Sequence, residues 1–70
     1  MDNIANKIRE LREMRSWSQN KLAIKIGVHR NLISLWENGN FEPSIYNCIR
    51  LADAFGVTLD ELCCRGDLNV

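Results

Sequence analysis

The sequence predicts an all-α domain of five short helices. Apolar residues recur every three or four positions in several stretches of the 70-residue chain, which is the spacing of one helix face. No stretch alternates between apolar and polar residues for long enough to predict a strand. Serine, threonine or glycine stands at the ends of most of these stretches, where helices begin and stop. A chain of this length closes one small core, so we expect one domain over residues 3–63 and a short tail over 64–70.

The first two helices are predicted from apolar spacing and from the residues at their ends. A first helix over about residues 3–15 follows from four apolar residues at helical spacing, namely Ile4, Ile8, Leu11 and Met14. Ser18 suits the N-cap of a second helix, because its hydroxyl can accept a free backbone amide. Gly27 ends that helix after about Ile26, since glycine tolerates the left-handed backbone of a sharp helix exit.

A third helix is predicted from about Arg30 to Asn38. Ile33 and Trp36 mark its buried face, and Gly39 stops it. The loop that follows contains the only proline of the chain, which favours a break between helices.

The last two helices have recognisable caps. Ser44 caps the fourth helix and Gly56 ends it, and the apolar stripe between them consists of Ile45, Cys48, Ile49, Ala52 and Phe55. Thr58 and Glu61 have the spacing of a capping box. They predict a short fifth helix that ends near Cys63.

The turn at Gly27 joins two short helices in a helix-turn-helix arrangement. By spacing alone this arrangement fits either a DNA-binding motif or an ordinary tight turn in a helical bundle, and both alternatives stay open. The net charge of zero does not favour a polyanionic partner. However, residues 1–40 carry a net charge of +3 and residues 41–70 a net charge of −3. The turn lies in the basic half, where the local charge permits DNA binding.

Several classes of protein are not expected from the composition. No apolar run is long enough to span a membrane, and the first residues lack the order of a signal peptide, so we expect a cytoplasmic protein. The chain has one histidine and no glycine loop that would bind phosphate, which argues against an enzyme. No cofactor is expected.

The three cysteines, Cys48, Cys63 and Cys64, predict neither a disulfide framework nor a metal site. Their number is odd, and no pair has CxxC spacing. With His29 they form a nominal zinc set, but two adjacent cysteines suit tetrahedral coordination poorly. Because Cys48 lies on an apolar stripe, we expect a buried thiol there.

Residues spread over most of the chain form one continuous pattern. They are Ile8, Arg9, Leu11, Arg12, Ser18, Gln19, Leu22, Ala23, Gly27, Val28, Ile33, Trp36, Glu37, Gly39, Pro43, Leu51, Ala52, Phe55, Gly56, Val57, Leu59, Glu61 and Leu62. This pattern resembles the phage-repressor and Cro-like helix-turn-helix family, also called the XRE type. The resemblance implies a lambda-repressor-like five-helix fold and sequence-specific binding of double-stranded DNA, usually as a symmetric dimer.

The resemblance also implies that the third helix lies in the major groove and presents its first turns to base edges. Arg30 and Asn31 stand on the first turn, where arginine can pair with guanine and asparagine with adenine. Ser34, one turn further on, is expected to contact base edges or a phosphate. Leu35 is expected to contact a thymine methyl group, with a merely exposed leucine as an equal alternative.

Five further residues are expected to contact DNA phosphates: Ser18, Gln19, His29, Asn38 and Asn40. Gln19 matches the family's phosphate-binding glutamine. Its side-chain amide and the positive N-terminal end of the second helix are both expected to attract a phosphate. His29 replaces the usual serine or threonine cap of the third helix and is a weaker cap. For Asn38 and Asn40, ordinary turn chemistry is an equal alternative.

Arg12 and Glu37 match a pair that joins the first helix to the end of the third in this family. Their expected role is structural, because they hold the third helix against the scaffold. Arg9 and Arg15 match no such pair, and we expect both side chains to be solvated.

The predicted function is a small transcriptional regulator, a repressor that binds an inverted-repeat operator as a homodimer. The dimer contact is expected in the C-terminal helices, from an apolar patch of Leu51, Leu59, Leu62, Leu68 and Val70. Leu51 and Leu62 fit the core equally well. The alternative function is an antitoxin-type module that binds a small protein partner and also represses its own operon.

Overall fold

The helices of the computed structural model are α1 (Ile4–Met14), α2 (Gln19–Ile26), α3 (Arg30–Glu37), α4 (Ile45–Phe55) and α5 (Leu59–Cys63). The structure describes residues 4–63, so the predicted tail lies outside the described residues. Each helix lies where apolar spacing or a capping pattern predicted one, and the all-α, five-helix fold class is confirmed. None of these five helices combines the length and the apolar content that a bilayer crossing requires.

Side chains at the helix starts hold backbone amides as the sequence predicted. Ser18 Oγ and Ser44 Oγ each accept the amide three residues further on, at 2.9 and 3.2 Å. Thr58 and Glu61 form a reciprocal capping box, in which each side chain accepts the other residue's amide at 3.0 Å. These bonds satisfy amides that the first turn of a helix leaves without an intrahelical partner.

Left-handed backbone ends α2 at Gly27 and α4 at Gly56, and it also follows α1. Gly27 has a φ of 77° and donates its N–H to the carbonyl of Ala23, which ends α2 as predicted. After α1 the left-handed residue is Ser16, with a φ of 57°. α1 therefore ends at Met14, slightly before the predicted end at residue 15.

One hydrophobic core is enclosed by all five helices. Its buried residues are Ile8, Leu11, Leu22, Ala23, Ile26, Ile33, Trp36, Cys48, Leu51, Ala52, Phe55 and Leu62. Trp36, with 2% of its surface exposed, is the largest of them, and it belongs to α3. The inner face of α3 is thus anchored in the centre of the domain.

Three apolar residues that were predicted to face the core lie on the surface. Met14 is 70% exposed because α1 ends there, and on α4 Ile45 and Ile49 are 60% and 43% exposed. The buried face of α4 is centred on Leu51 and Phe55 instead. Apolar spacing correctly predicted this helix. It also assigned Ile45 and Ile49, which lie beside the buried face, to that face.

Of the two alternatives given for Leu51 and Leu62, a dimer contact or a place in the core, the core is confirmed. Leu51 and Leu62 have no exposed surface, so they are core residues and cannot contact a second molecule. Leu59 is half-buried and packs against the core. Leu68 and Val70 lie outside the described residues.

Arg15 is not the solvated side chain that the sequence predicted. Its Nη1 donates to the carbonyl of Leu11 at 2.9 Å, and its Nη2 donates to the carbonyl of Phe55. The guanidinium also lies 5.8 Å from the ring centroid of Trp17 and 5.3 Å from that of Phe55. Arg15 therefore joins the C-terminal ends of α1 and α4, where the helix dipoles favour a positive charge.

Cys48 is the buried thiol that its place on the apolar stripe predicted, with 6% of its surface exposed. Burial raises the pKa of the Cys48 thiol to about 11, so it stays protonated near neutral pH. Cys48 and the half-buried Cys63 are both free cysteines. Cys64 lies outside the described residues.

Candidate nucleic-acid interface

α2 and α3 meet at a tight turn that is closed by backbone hydrogen bonds. The N–H groups of Gly27 and Val28 both donate to the carbonyl of Ala23, at 2.8 and 3.0 Å. His29 then caps α3, because its Nδ1 accepts the amide of Asn31 at 3.2 Å. The turn fixes the direction in which α3 leaves α2, as a helix-turn-helix requires.

α3 has one face in the core and one face towards solvent. The inward residues are Ile33, Trp36 and Glu37. The four predicted base-contact residues lie on the outward side, where Arg30 and Asn31 are exposed and Ser34 and Leu35 are half-buried. One arginine and one asparagine therefore stand exposed on the first turn of a helix whose opposite face is anchored. This arrangement is suited to reading base edges in a groove.

The predicted phosphate-contact residues lie at the starts of α2 and α3 and after the end of α3. Ser18 is exposed, and its oxygen already accepts an amide in the α2 cap. His29 is exposed, and its Nδ1 accepts the hydrogen bond of the α3 cap. Its Nε2–H is therefore left to donate a hydrogen bond to a phosphate. Asn38 and Asn40 are both exposed. Gln19 is half-buried and has a partner inside the protein.

Glu37 is a buried carboxylate held by three side chains, and only 1% of its own side chain is exposed. Arg12 makes a bidentate contact, with Nε donating to Oε2 at 2.6 Å and Nη2 donating to Oε1 at 3.0 Å. Gln19 Nε2 donates to Glu37 Oε1 at 3.1 Å. Arg9 Nε lies 3.6 Å from the same oxygen. A further bond, from Arg12 Nη1 to the carbonyl of Trp17 at 2.8 Å, fixes the guanidinium.

The surroundings of Glu37 keep its carboxylate ionised. Burial by itself raises the pKa of this carboxyl group, but the hydrogen bonds from Arg12 and Gln19, with the charges of Arg12 and Arg9, outweigh burial. The pKa of Glu37 therefore lies below its ordinary value. The hydrogen bond to Glu37 is also the main reason why the pKa of Arg12 is raised. α1, α2 and α3 are thus joined at one charged centre.

The sequence-based expectation missed two members of this centre. Gln19 was predicted only as a phosphate ligand, and Arg9 was predicted to be solvated. The spacing of Arg9 and Arg12, three residues apart on one helix face, was a usable indication that both reach one acceptor. Gln19 carries two amide protons, so its bond to Glu37 leaves the second for another acceptor.

Because the pKa of Glu37 is lowered, the stability of the folded domain should depend on pH. Because the folded pKa lies below that of an unfolded glutamate, about 4.3, the stabilisation is present above that pH and is lost as the pH falls further. The Tm of the wild type should fall more steeply between about pH 5 and pH 3 than that of Glu37→Gln. Thermal melts by circular dichroism measure this difference. Glu10→Gln, which changes an exposed carboxylate on α1, should retain the wild-type slope; parallel curves for wild type and Glu37→Gln would contradict the assignment.

Comparison with known proteins identifies relatives of this arrangement. A family model described as helix-turn-helix matches residues 8–62. The uncharacterized HTH-type transcriptional regulator YgzD of Bacillus subtilis (strain 168) is 32% identical over 57 residues, which cover 81% of this chain and 86% of that protein.

Two solved structures have the same fold. The restriction-modification controller protein C.AhdI from Aeromonas hydrophila superposes with a TM-score of 0.80 at 32% identity, covering 84% of this chain and 89% of that one. The P22 c2 repressor, solved in complex with the synthetic operator 9T, superposes with a TM-score of 0.83 at 29% identity, covering 89% and 94%. With its helix-turn-helix formed by α2 and α3, the chain belongs to the phage-repressor and Cro-like (XRE-type) family of helix-turn-helix proteins.

Proposed function

We propose that the protein is a transcriptional regulator that binds double-stranded DNA with α3 in the major groove and acts as a repressor. One observation carries this proposal. Arg30 and Asn31 project from the first turn of α3, while Trp36 and Glu37 fix its opposite face to the core and to α1. A rigid helix with exposed polar side chains at its start is the element that reads base edges in this class of motif.

The proposed base contacts follow from the donor geometry of the two residues. The guanidinium of Arg30 carries paired donors that match O6 and N7 of guanine, and the amide of Asn31 matches N6 and N7 of adenine. Arg30 is exposed and the structure gives it no ion pair within residues 4–63. Its charge is therefore available to a ligand. Ser34 and Leu35 would contact the next bases or their backbone.

Phosphate contacts would set the position of α3 along the groove. Gln19 is the strongest candidate, because the hydrogen bond to Glu37 fixes the orientation of its side-chain amide and leaves a second N–H to donate. The free amides at the start of α2 add a partial positive charge beside it. Ser18, His29, Asn38 and Asn40 are the further candidates that we propose for the backbone.

Two copies of the chain would bind one operator. A single reading helix contacts about four to six base pairs, which is too few for useful selectivity in a genome. An inverted repeat with half-sites about one helical turn apart lets a two-fold dimer bind both. The similarity to the P22 c2 repressor, a protein solved with its synthetic operator, supports repression as the outcome.

A promoter reporter tests the regulatory part of the proposal. A duplex that the protein binds tightly is placed across a constitutive bacterial promoter, and reporter expression is measured with and without the protein. Expression should fall when the protein is present and should be restored by Arg30→Ala. Unchanged expression despite measured occupancy of the site would contradict repression, and increased expression would assign activation instead.

Gln19→Ala should weaken binding to all duplexes by a similar factor. Phosphate contacts position a protein without carrying sequence information, so preference among duplexes should not change. Fluorescence anisotropy on a preferred duplex and on a scrambled one measures both affinities. Asn6→Ala, which removes an exposed amide on α1, is the matched control and should leave both affinities unchanged. A changed ratio between the two duplexes would mean that Gln19 takes part in base recognition.

A further inference from the structure

Two free thiols meet where α4 packs against α5. Cys48 lies on α4 with 6% of its surface exposed, and Cys63 is the last residue of α5 and is half-buried. The two helices are in direct contact. A side-chain hydrogen bond joins the Cys48 and Cys63 thiols. Neither sulfur atom takes part in the proposed contacts with DNA, so the reactivity of this pair is open to another use.

We propose that Cys48 and Cys63 are an oxidation site, at which hydrogen peroxide converts the two thiols into a disulfide that ties α5 to α4. Because the thiols already lie within hydrogen-bonding reach, rotation of the two side chains can bring the sulfur atoms to the bonding distance of about 2.05 Å. Cysteine spacing did not indicate this pair, since 15 positions separate the two residues and only the packing of α4 against α5 brings them together.

The oxidation proceeds in two balanced steps. First, the Cys63 sulfur attacks one oxygen of the peroxide and the O–O bond breaks, so that Cys63 becomes a sulfenic acid (S–OH) and one water leaves with the thiol proton. Second, the Cys48 sulfur attacks the sulfenic sulfur, the S–S bond forms, and the S–OH oxygen leaves as water with the Cys48 proton. The two sulfur atoms together lose two electrons, and the two peroxide oxygens gain them.

Burial decides which thiol reacts first. Cys63 is half-buried and meets a small oxidant at the surface, whereas Cys48 is buried. Burial, together with the neighbouring Cys63, raises the pKa of the Cys48 thiol to about 11, so this thiol keeps its proton near neutral pH and reacts slowly with a peroxide. Its place beside Cys63 compensates for this in the second step, because attack within one molecule has a high effective concentration.

The disulfide should stabilise the folded domain. Closing a loop of about 15 residues restricts the unfolded chain and thereby favours the folded state. The opposing loss is small, because oxidation removes only a weak hydrogen bond, in which Cys48 Sγ donates to the carbonyl of Pro43 at 3.7 Å. The Tm of the oxidised protein should therefore exceed that of the reduced protein by about 10 °C. A lower Tm after oxidation would mean that the bond distorts the fold, and would overturn the inference.

Peptide mapping of the oxidised full chain identifies the bonded pair. The Cys64→Ser variant keeps only the pair described above, and it is treated with hydrogen peroxide and digested with trypsin without reduction. Trypsin cleaves after arginine and places Cys48 in the peptide 31–50 and Cys63 in the peptide 51–65. Mass spectrometry should find these two peptides joined, and the intact protein should be a single chain that is lighter by two hydrogen atoms.

The choice between the two neighbouring cysteines is tested by rate. Wild type should join the two peptides at a rate within about twofold of Cys64→Ser, because Cys64 is not needed for the bond. Cys63→Ser should join them at least about tenfold more slowly. If Cys63→Ser is as fast as Cys64→Ser, or if oxidised wild type carries its bond within the peptide 51–65, the inference is overturned.

Trapping of the sulfenic acid with dimedone tests the order of the two steps. In the Cys64→Ser background, Cys48→Ala should accumulate a label at Cys63, because the thiol that resolves the sulfenic acid is absent. In the same background, Cys63→Ser should leave the buried Cys48 unlabelled. Circular dichroism melts verify that each variant is folded, and the result for Cys63→Ser stands by itself if Cys48→Ala fails to fold. A label at Cys48 in the folded protein would overturn the assigned order.

Discussion

Arg12→Met is expected to destabilise the folded domain by about 3–5 kcal/mol, the usual cost of leaving one member of a buried ion pair without its partner. The Glu37 side chain is 1% exposed and has its shortest contact, 2.6 Å, with Arg12 Nε. Methionine fills much of the same volume, so the loss measures mainly the charge and its hydrogen bonds. For a domain whose total stability is about 5–15 kcal/mol, such a change unfolds a measurable fraction of the molecules.

Urea denaturation followed by tryptophan fluorescence measures this loss, since Trp36 is buried and Trp17 packs against the core. Arg9→Met is the control for the neighbouring charge. Arg9 lies 3.6 Å from Glu37 and its side chain is 47% exposed, so its removal should cost less than about 1 kcal/mol. Equal losses for the two variants would contradict the assignment of Arg12 as the main partner of Glu37.

Arg30→Ala is expected to cost about 1–3 kcal/mol of binding free energy on the preferred duplex and to relax preference at one base pair in each half-site. The physical reason is that alanine removes both donors of a bidentate contact to guanine, while α3 itself stays anchored through Trp36 and Glu37. Fluorescence anisotropy with duplexes substituted at one position at a time measures both effects. The folded stability should not change, because Arg30 is exposed.

Arg30→Lys distinguishes base recognition from general charge attraction. Lysine keeps the positive charge but not the planar pair of donors, so affinity for scrambled duplexes should persist while discrimination at that base pair falls. If Arg30→Ala lowered binding to every duplex by the same factor, Arg30 would be a phosphate contact and the proposed reading residue would have to be another one.

Local features of the chain were predictable because the residues that decide them lie next to one another. Ser18 and Ser44 cap their helices, Gly27 takes the left-handed backbone, and Thr58 bonds with Glu61, as short-range spacing indicated. Each of these contacts joins residues within one turn of helix. Their geometry therefore depends on the local sequence more than on the packing of the domain.

Contacts between distant residues were harder to predict from one sequence. Arg15 contacts the carbonyl of Phe55, 40 positions away, and Gln19 contacts Glu37, 18 positions away. Both depend on the angle at which helices cross, which apolar spacing does not specify. The family pattern supplied Arg12 and Glu37 as a pair, but it did not indicate that Gln19 and Arg9 share the same carboxylate.

The exposed residues of α4 could not be predicted from apolar spacing either. Helical spacing predicted that Ile45 and Ile49 belong to the buried stripe, and both are exposed. Periodicity identifies an apolar face, but it does not distinguish the part that the protein's own core covers from a part that stays exposed. That distinction needed the packing of α4 against the other helices.

Selection from a randomised duplex pool at near-physiological salt, with sequencing of the bound fraction, tests the central claim most directly. We expect enrichment of inverted repeats whose half-site centres lie about one helical turn apart. Within each half-site, Arg30→Ala should remove the preference at a single position. A bound fraction with the same sequence composition as the starting pool would contradict the claim that α3 reads DNA sequence.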